Sequence, residues 1–279
     1  MRRNIRVERV LVRAGSLVRA KAPTTASSAV SRNELRSLTK AHYEQFPFIA
    51  GGDERVALWC RRLGTVLPDF RVRNSTVLDV GCGSGDVARS LTQRGARVVA
   101  VDLTRVAVQR ARASGGIRTV QCDALALPFR ENAFDHSLAL GVLHHTPDCR
   151  AGLAEMVRVT ADGGTVIVGL YSKWTPYHLA YLATSRLRAR VPSARLHHTP
   201  SWVMAVTRAF VTFQIRQRLN DEQLINVLAD QFWTPRASFH TPREIRRWSG
   251  QLGLVQVGRR WHPFYMNDFV FRVDKSRIR

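Results

Sequence analysis

Cysteine is scarce. Cys60, Cys82, Cys122 and Cys149 show no C-x-x-C spacing and do not cluster with histidine. That argues against a bound metal or a disulfide framework and predicts a reduced, cytoplasmic setting. Apolar runs of the roughly 20 residues needed to span a bilayer are missing too, and the basic N-terminus lacks the apolar core of a secretory signal. Lysine occurs only at Lys21, Lys40, Lys173 and Lys275, so the formal net charge of +22 is almost wholly arginine. Acids vanish altogether from Gly163 through Asn220. So basic a balance points to an acidic partner, whether a phosphate-bearing substrate, nucleic acid or an anionic membrane surface. Compositional bias with solvated arginines is the plainer reading, and charge alone does not choose.

The rest of the composition is ordinary. With 279 residues, 45% hydrophobic and 23% charged, the chain can bury a sizeable core. Residues 1–31 carry seven basic side chains (Arg2, Arg3, Arg6, Arg9, Arg13, Arg19 and Lys21) against one acid, Glu8. They read as a basic extension: a disordered or loosely helical arm, an organellar import segment, or an amphipathic helix on a membrane. Residues 32–279 read as one domain, opening with helices around Glu34–Phe46 and Val56–Leu63 that can lie over the open end of a sheet.

The most informative stretch is Thr76–Asp86, TVLDVGCGSGD. A buried parallel strand breaks into Gly81, Gly83 and Gly85, then a helix begins at Asp86. Strand, glycine loop and helix N-terminus together make a nucleotide-type site. A dinucleotide fingerprint needs G-x-G-x-x-G, whereas here the third glycine comes one residue early and Asp79 ends the strand. An acid beside a pyrophosphate is unhelpful; beside a cationic ligand it is welcome.

Downstream the chain alternates. Strands are predicted at Arg97–Asp102, Ile117–Cys122, Phe134–Leu140 and Thr165–Leu170, and helices at Arg105–Ala113, with Thr104 as N-cap, and Arg150–Val159. Such alternation gives an α/β fold with a parallel sheet and helices on both faces. Near the end, Thr241-x-x-Glu244 with Pro242 is a capping box opening a helix to about Leu252. Two last strands follow, near Leu254–Arg259 and Asp268–Val273. Asp79, Asp102 and Asp123 fall at the C-terminal ends of three successive strands, where an open α/β sheet binds its ligand. Asp79 is placed to face a ligand's amino-acid end, Asp102 to accept from ribose hydroxyls and Asp123 from an exocyclic adenine amine.

The D-x-G-x-G-x-G loop resembles motif I of class I S-adenosylmethionine-dependent methyltransferases. With D-A-L-A-L-P-F (Asp123–Phe129) and the strand Phe134–Leu140 leading into G-V-L-H-H-T-P-D, it is similar to the ubiquinone/menaquinone C-methyltransferase type, the methyltransferase type 11 group. The resemblance covers about Tyr43 to Leu170. It implies a Rossmann-like sheet of seven strands, the last antiparallel, S-adenosylmethionine as donor, and a methyl group moved to O or C of a small hydrophobic or anionic metabolite. RNA methylation, or a donor-binding scaffold without catalysis, are the alternatives. It implies further that Gly81, Gly83, Asp102, Asp123, Ala124 and Leu140 line the donor site. Asp79, Cys82, Gly85 and Leu103, their neighbours on the loop and second strand, complete the candidate set. His145 matches the family's histidine after the fourth strand, either as a base or packed beneath the donor; packing is the simpler reading, because methyl transfer often needs no protein base. N/D-P-P-Y is absent at Gly141–His144, as is a Pro-Cys pair near Cys149, which argues against base-amine and RNA cytosine-5 methylation.

Residues 171–240 form an insertion rich in arginine and aromatics, predicted to be a helical lid with Trp174, Tyr177, Tyr181, Trp202, Phe210 and Phe213 inward and arginines toward anionic groups.

Overall fold

A computed structural model describes residues 31–48, 52, 53, 56, 57, 61, 64, 72–115, 117–191, 193–215, 219–262 and 264–278. The basic extension, apart from Ser31, lies outside the described residues, as do Cys60, Arg216, Arg218, most of the helix expected around Val56–Leu63, and the side chains of Val203, Val206, Phe210 and Phe213.

Among the described residues the order is α1 (Arg32–Gln45), β1 (Thr76–Val80), α2 (Asp86–Gln93), β2 (Arg97–Asp102), α3 (Arg105–Ala113), β3 (Arg118–Gln121), β4 (Phe134–Leu140), α4 (Cys149–Val159) and β5 (Thr160–Tyr171). The insertion follows as α5 (Pro176–Ala183), α6 (Ser185–Arg190), α7 (Ser201–Ile215) and α8 (Asp221–Leu228), which runs into a π-helical turn, Ala229–Trp233. Then come α9 (Pro242–Gln251), β6 (Leu254–Arg260) and β7 (Met266–Val273).

One seven-stranded sheet runs in the order β3-β2-β1-β4-β5-β7-β6. β7 is antiparallel to both its neighbours, and β1 to β5 are parallel. Alternate residues of the central strands feed two apolar clusters. Val77, Leu138, Ile167 and Val270 go to one, Leu78, Ala139, Val166 and Phe271 to the other. Both faces of β1 are therefore buried, which is why its sequence is a continuous apolar run rather than an alternation. The order reverses at β1–β4, and a ligand crevice opens at such a point beyond the strand ends.

Local signals set most boundaries. Thr104 caps α3 by accepting from the Ala107 amide, Asp148 caps α4, and Thr241 and Glu244 close the expected capping box on α9. β3 is one residue shorter at each end than the expected Ile117–Cys122. β5 starts earlier than expected, at Thr160, which pairs with Phe134 before the ladder shifts register; the polar, glycine-rich stretch Asp162–Gly164 hides that strand start.

The insertion is anchored by Tyr171 at the end of β5. Its buried ring stacks on His144 at 3.6 Å and contacts Tyr177, Phe239 and Tyr265. Tyr177 thus points inward as expected. Trp174 and Trp202 do not: both are largely exposed, because Trp174 precedes the cap of α5 and Trp202 sits in the first turn of α7.

Gly85 ends the glycine loop at φ +83°, and a Cβ there would meet the Ala111 Cα at 2.9 Å. Gly85→Ala is expected to lower stability by about 1–3 kcal/mol through a left-handed backbone and overpacking of α2 on α3. Urea unfolding checks this, and an unchanged midpoint contradicts it.

Candidate active site

A cavity of about 310 Å³ opens beyond the C-terminal ends of β1, β2 and β4, the lower end of the size range of small-molecule sites. Of the residues expected from the sequence, Gly81, Cys82, Gly83, Asp102, Leu103, Asp123, Ala124, Leu140 and His145 line it. Gly85 does not; it packs against α3. Gly81 adopts φ +71°, and a Cβ there would collide with Val142 at 2.3 Å, so only glycine lets the loop pass the end of β4.

Asp102 ties this region together. One carboxylate oxygen accepts from the Gly83 amide at 3.1 Å, and the other from the amide and hydroxyl of Thr104, both at 2.9 Å. Burial raises its pKa while those hydrogen bonds oppose the rise. Three of its roughly four acceptor sites are thus used, and Oδ2 keeps one for a ligand hydroxyl. Asp123 is more committed than expected: Oδ1 accepts from the Leu125 amide at 2.9 Å, and Oδ2 meets the Arg36 guanidinium of α1 at 2.6 Å.

Asp79 corrects the expectation that it faces the ligand. It is buried under the loop, away from the cavity wall. The alternation of β1 sends its side chain to the Val77 face, beneath the first turn of α2, where the Ala88 amide reaches it. Its Oδ2 has no hydrogen-bond partner. Burial and the nearby Asp102 push its pKa up to about 7.

α1 and the insertion roof the cavity, and they supply functional residues that sequence reasoning missed. Tyr43 of α1 donates to Asp230 Oδ1 at 2.8 Å. Asp230 lies in the π-helical turn after α8 and lines the cavity. His145 Nδ1 lies 2.8 Å from the Arg236 carbonyl. A carbonyl only accepts, so Nδ1 carries the proton and Nε2 the lone pair. That Nε2 has no hydrogen-bond partner and lies 3.6 Å from Asp230 Oδ1. Burial lowers the His145 pKa, with Asp230 opposing. His144 lies wholly buried behind it, its pKa pushed well down by burial. Burial raises the pKa of the Cys82 thiol, away from a nucleophile.

Asp86, Asp102, Asp123 and Asp230 line the cavity, and Arg36 is the one lysine or arginine among the described lining residues. A hollow edged by carboxylates in a chain of net charge +22 suits a cationic ligand. Glycine-loop amides, a carboxylate for a ribose diol, and that acidic wall fit S-adenosylmethionine, whose sulfonium and ammonium are positive.

Sheet order, glycine loop and strand-end acids define the class I S-adenosylmethionine-dependent methyltransferase fold. Residues 78–168, about a third of the chain, match the family described as Methyltransferase domain, and the seven-stranded sheet that holds them is Rossmann-like. A demethylmenaquinone methyltransferase of Thermobifida fusca is 37% identical over 117 residues, which is 40% of this chain and 50% of that protein. The chain spans about half or less of the length of the curated relatives it matches. In fold it is similar to Burkholderia thailandensis 1,6-didemethyltoxoflavin-N1-methyltransferase, solved with 1,6-didemethyltoxoflavin and S-adenosylhomocysteine, at TM-score 0.54 and 19% identity over 90% of this chain and 94% of that one. Magnesium protoporphyrin IX methyltransferase from Synechocystis PCC 6803 with bound S-adenosylmethionine gives TM-score 0.53 and 14% identity over 88% and 100%.

Two measurements follow from the acids. Asp102→Ala is expected to weaken S-adenosylmethionine binding by about 1–3 kcal/mol, the loss of one or two hydrogen bonds; calorimetry showing unchanged affinity contradicts the ribose role. A cation in the cavity favours ionised Asp79, so its pKa falls below about 7 on binding and a proton leaves. Affinity is then expected to climb between pH 6 and pH 8, more steeply in the natural chain than in Asp79→Asn. Equal slopes contradict this.

Proposed function

We propose that the protein transfers a methyl group from S-adenosylmethionine to carbon or oxygen of a small hydroxylated ring, with a quinol-type acceptor favoured, and that His145 is the base. The single observation that carries this reading is His145, which lines the cavity and whose buried Nε2 has no hydrogen-bond partner and lies 3.6 Å from Asp230 Oδ1. Bound above the glycine loop, S-adenosylmethionine supplies an electrophilic methyl group. Gly81, Gly83, Asp102 and Leu103 hold its nucleoside, and Leu140 and Ala124 flank it. Asp123 meets the adenine amine once Arg36 shares its carboxylate.

Phe48, Tyr265 and Met266 add apolar surface to the cavity wall, suited to a flat ring. An acceptor hydroxyl placed there gives its proton to Nε2, leaving an anion whose ring carbon or oxygen is the nucleophile. Asp230, held by Tyr43, stabilises the imidazolium so formed. The Arg236 carbonyl fixes the imidazole in the tautomer that leaves Nε2 free. Burial by α1 and the helices of 171–240, acting as a lid, keeps water from competing. The name of the Thermobifida fusca relative, with its demethylated menaquinone, supports the quinol-type acceptor.

The test is turnover of methyl-labelled donor by the full chain on reduced demethylated quinones, hydroxylated aromatics and total RNA. Label is expected in the quinols and not in RNA; label in RNA alone overturns the reading. His145→Gln is expected to lower turnover by ~10²-fold or more with donor affinity held, whereas loss of affinity and stability together indicates packing. Neutral His145 is the active form, so turnover falls as pH drops through its lowered pKa, below 6.5. Asp230→Asn removes the charge that favours imidazolium and moves that acidic limb to still lower pH; a limb that moves up or stays put contradicts the pairing.

A further inference from the structure

The face beside the cavity mouth has the wrong chemistry for water. α5, PYHLAYLA, carries no charged residue and only His178 as a strongly polar one, yet Leu179, Ala180, Leu182 and Ala183 are exposed. Its inward side carries Tyr177 and His178. A helix hydrophobic all round is normally buried all round. Trp174, just before its cap, is 77% exposed and held at φ +63°, a conformation that costs a bulky residue energy. Its amide donates to His178 Nδ1 at 3.2 Å.

The loop between β6 and β7 adds Trp261, 64% exposed, and Phe264. This loop lies against the start of α5: the Tyr177 amide donates to the Phe264 carbonyl at 3.3 Å, and the Ser172 amide to the Tyr265 carbonyl at 3.2 Å. Tyr265 and Met266 line the cavity, so the apolar surface reaches the rim of the site.

The charge beside it has one sign. α6 continues from α5 with Arg186 and Arg190 exposed, neither with an acidic partner among the described residues, and no Asp or Glu occurs from Gly163 through Asn220. Arg188 lies over the Tyr181 ring at 3.6 Å, which fixes the turn between the two helices.

We propose that Trp174, Leu179, Leu182, Trp261 and Phe264, flanked by Arg186 and Arg190, form a docking surface for an anionic lipid bilayer. Tryptophans at headgroup depth, aliphatic side chains below them and arginines on phosphates are the arrangement an interfacial helix uses. The aliphatic pair decides for lipid over nucleic acid, since leucines neither stack on bases nor hydrogen-bond them. Docked this way, the cavity rim at Tyr265 faces the membrane, and a lipophilic acceptor passes from bilayer to site without crossing water. The buried side of α5 connects the surface to the site: Tyr177 donates to the Gln231 carbonyl at 2.6 Å, next to Asp230.

The test uses the full chain, so that any contribution of residues 1–30 is common to every variant. It reads sedimentation with vesicles of phosphatidylcholine alone, or of phosphatidylcholine with phosphatidylglycerol, at low and high salt. Binding to the anionic vesicles is expected, with a blue shift of tryptophan fluorescence. Leu179→Ser with Leu182→Ser is expected to reduce it about 10-fold or more at either salt. Arg186→Gln with Arg190→Gln is expected to reduce it roughly 25-fold at low salt, near 5-fold per arginine, and far less at high salt. S-adenosylmethionine affinity stays unchanged in both. Trp261→Ala, on the separate loop, gives the same test if the helix variants do not fold. No vesicle binding, variants that bind as the natural chain does, or variants that lose only affinity for a single-stranded RNA each overturn the proposal. Vesicle binding needs no donor, so its failure leaves the methyl-transfer reading standing.

Discussion

The site depends on one carboxylate. Asp102 at the end of β2 accepts from Gly83 on the loop after β1 and from Thr104 at the cap of α3, so strand, loop and helix are fixed to one another by a single side chain. Burial raises the pKa of this carboxyl, and its three hydrogen bonds oppose the rise. Burial, and then Asp102 beside it, push the Asp79 pKa up to about 7. The cavity thus carries negative charge at its wall and a reserve of it one layer below. A cation brings both into play, and in a protein of net charge +22 that hollow is where a cation belongs.

The strand-and-loop wall of the cavity was legible in the sequence. β1, β2, α3 and β4 are signalled by apolar period, glycine and caps, all of which act within a few residues. Asp102, Asp123, Gly81 and Gly83 could be placed because strand ends of a parallel sheet meet at one edge. Asp79 was misplaced because a position at a strand end does not say which face its side chain takes; the parity of β1 sends it under α2. The wall supplied by α1 and the π-helical turn was not legible. Asp230 meets Tyr43 across 187 positions of chain, and no local pattern records such a pairing. The π-helical turn that aims Asp230 has no sequence mark at all, although such turns often sit at functional sites.

The insertion does more than cover the site. Through Asp230 and the Arg236 carbonyl it supplies the charge and the tautomer on which His145 depends, and Tyr177 ties α5 to the turn that carries them. The tie to Gln231 and the exposed apolar face are on two sides of one helix. Substitutions on α5 therefore separate by side: inward ones reach His145, outward ones leave the chemistry intact.

The most direct measurement of the central claim, that one acid-lined cavity holds donor and acceptor together, is a crystal structure of the protein with S-adenosylhomocysteine. The expected result is a ribose diol at about 2.6–2.8 Å from the Asp102 carboxylate and a sulfur turned toward the space between His145 and Tyr265. A nucleoside bound away from Asp102, or a sulfur turned from His145, contradicts it.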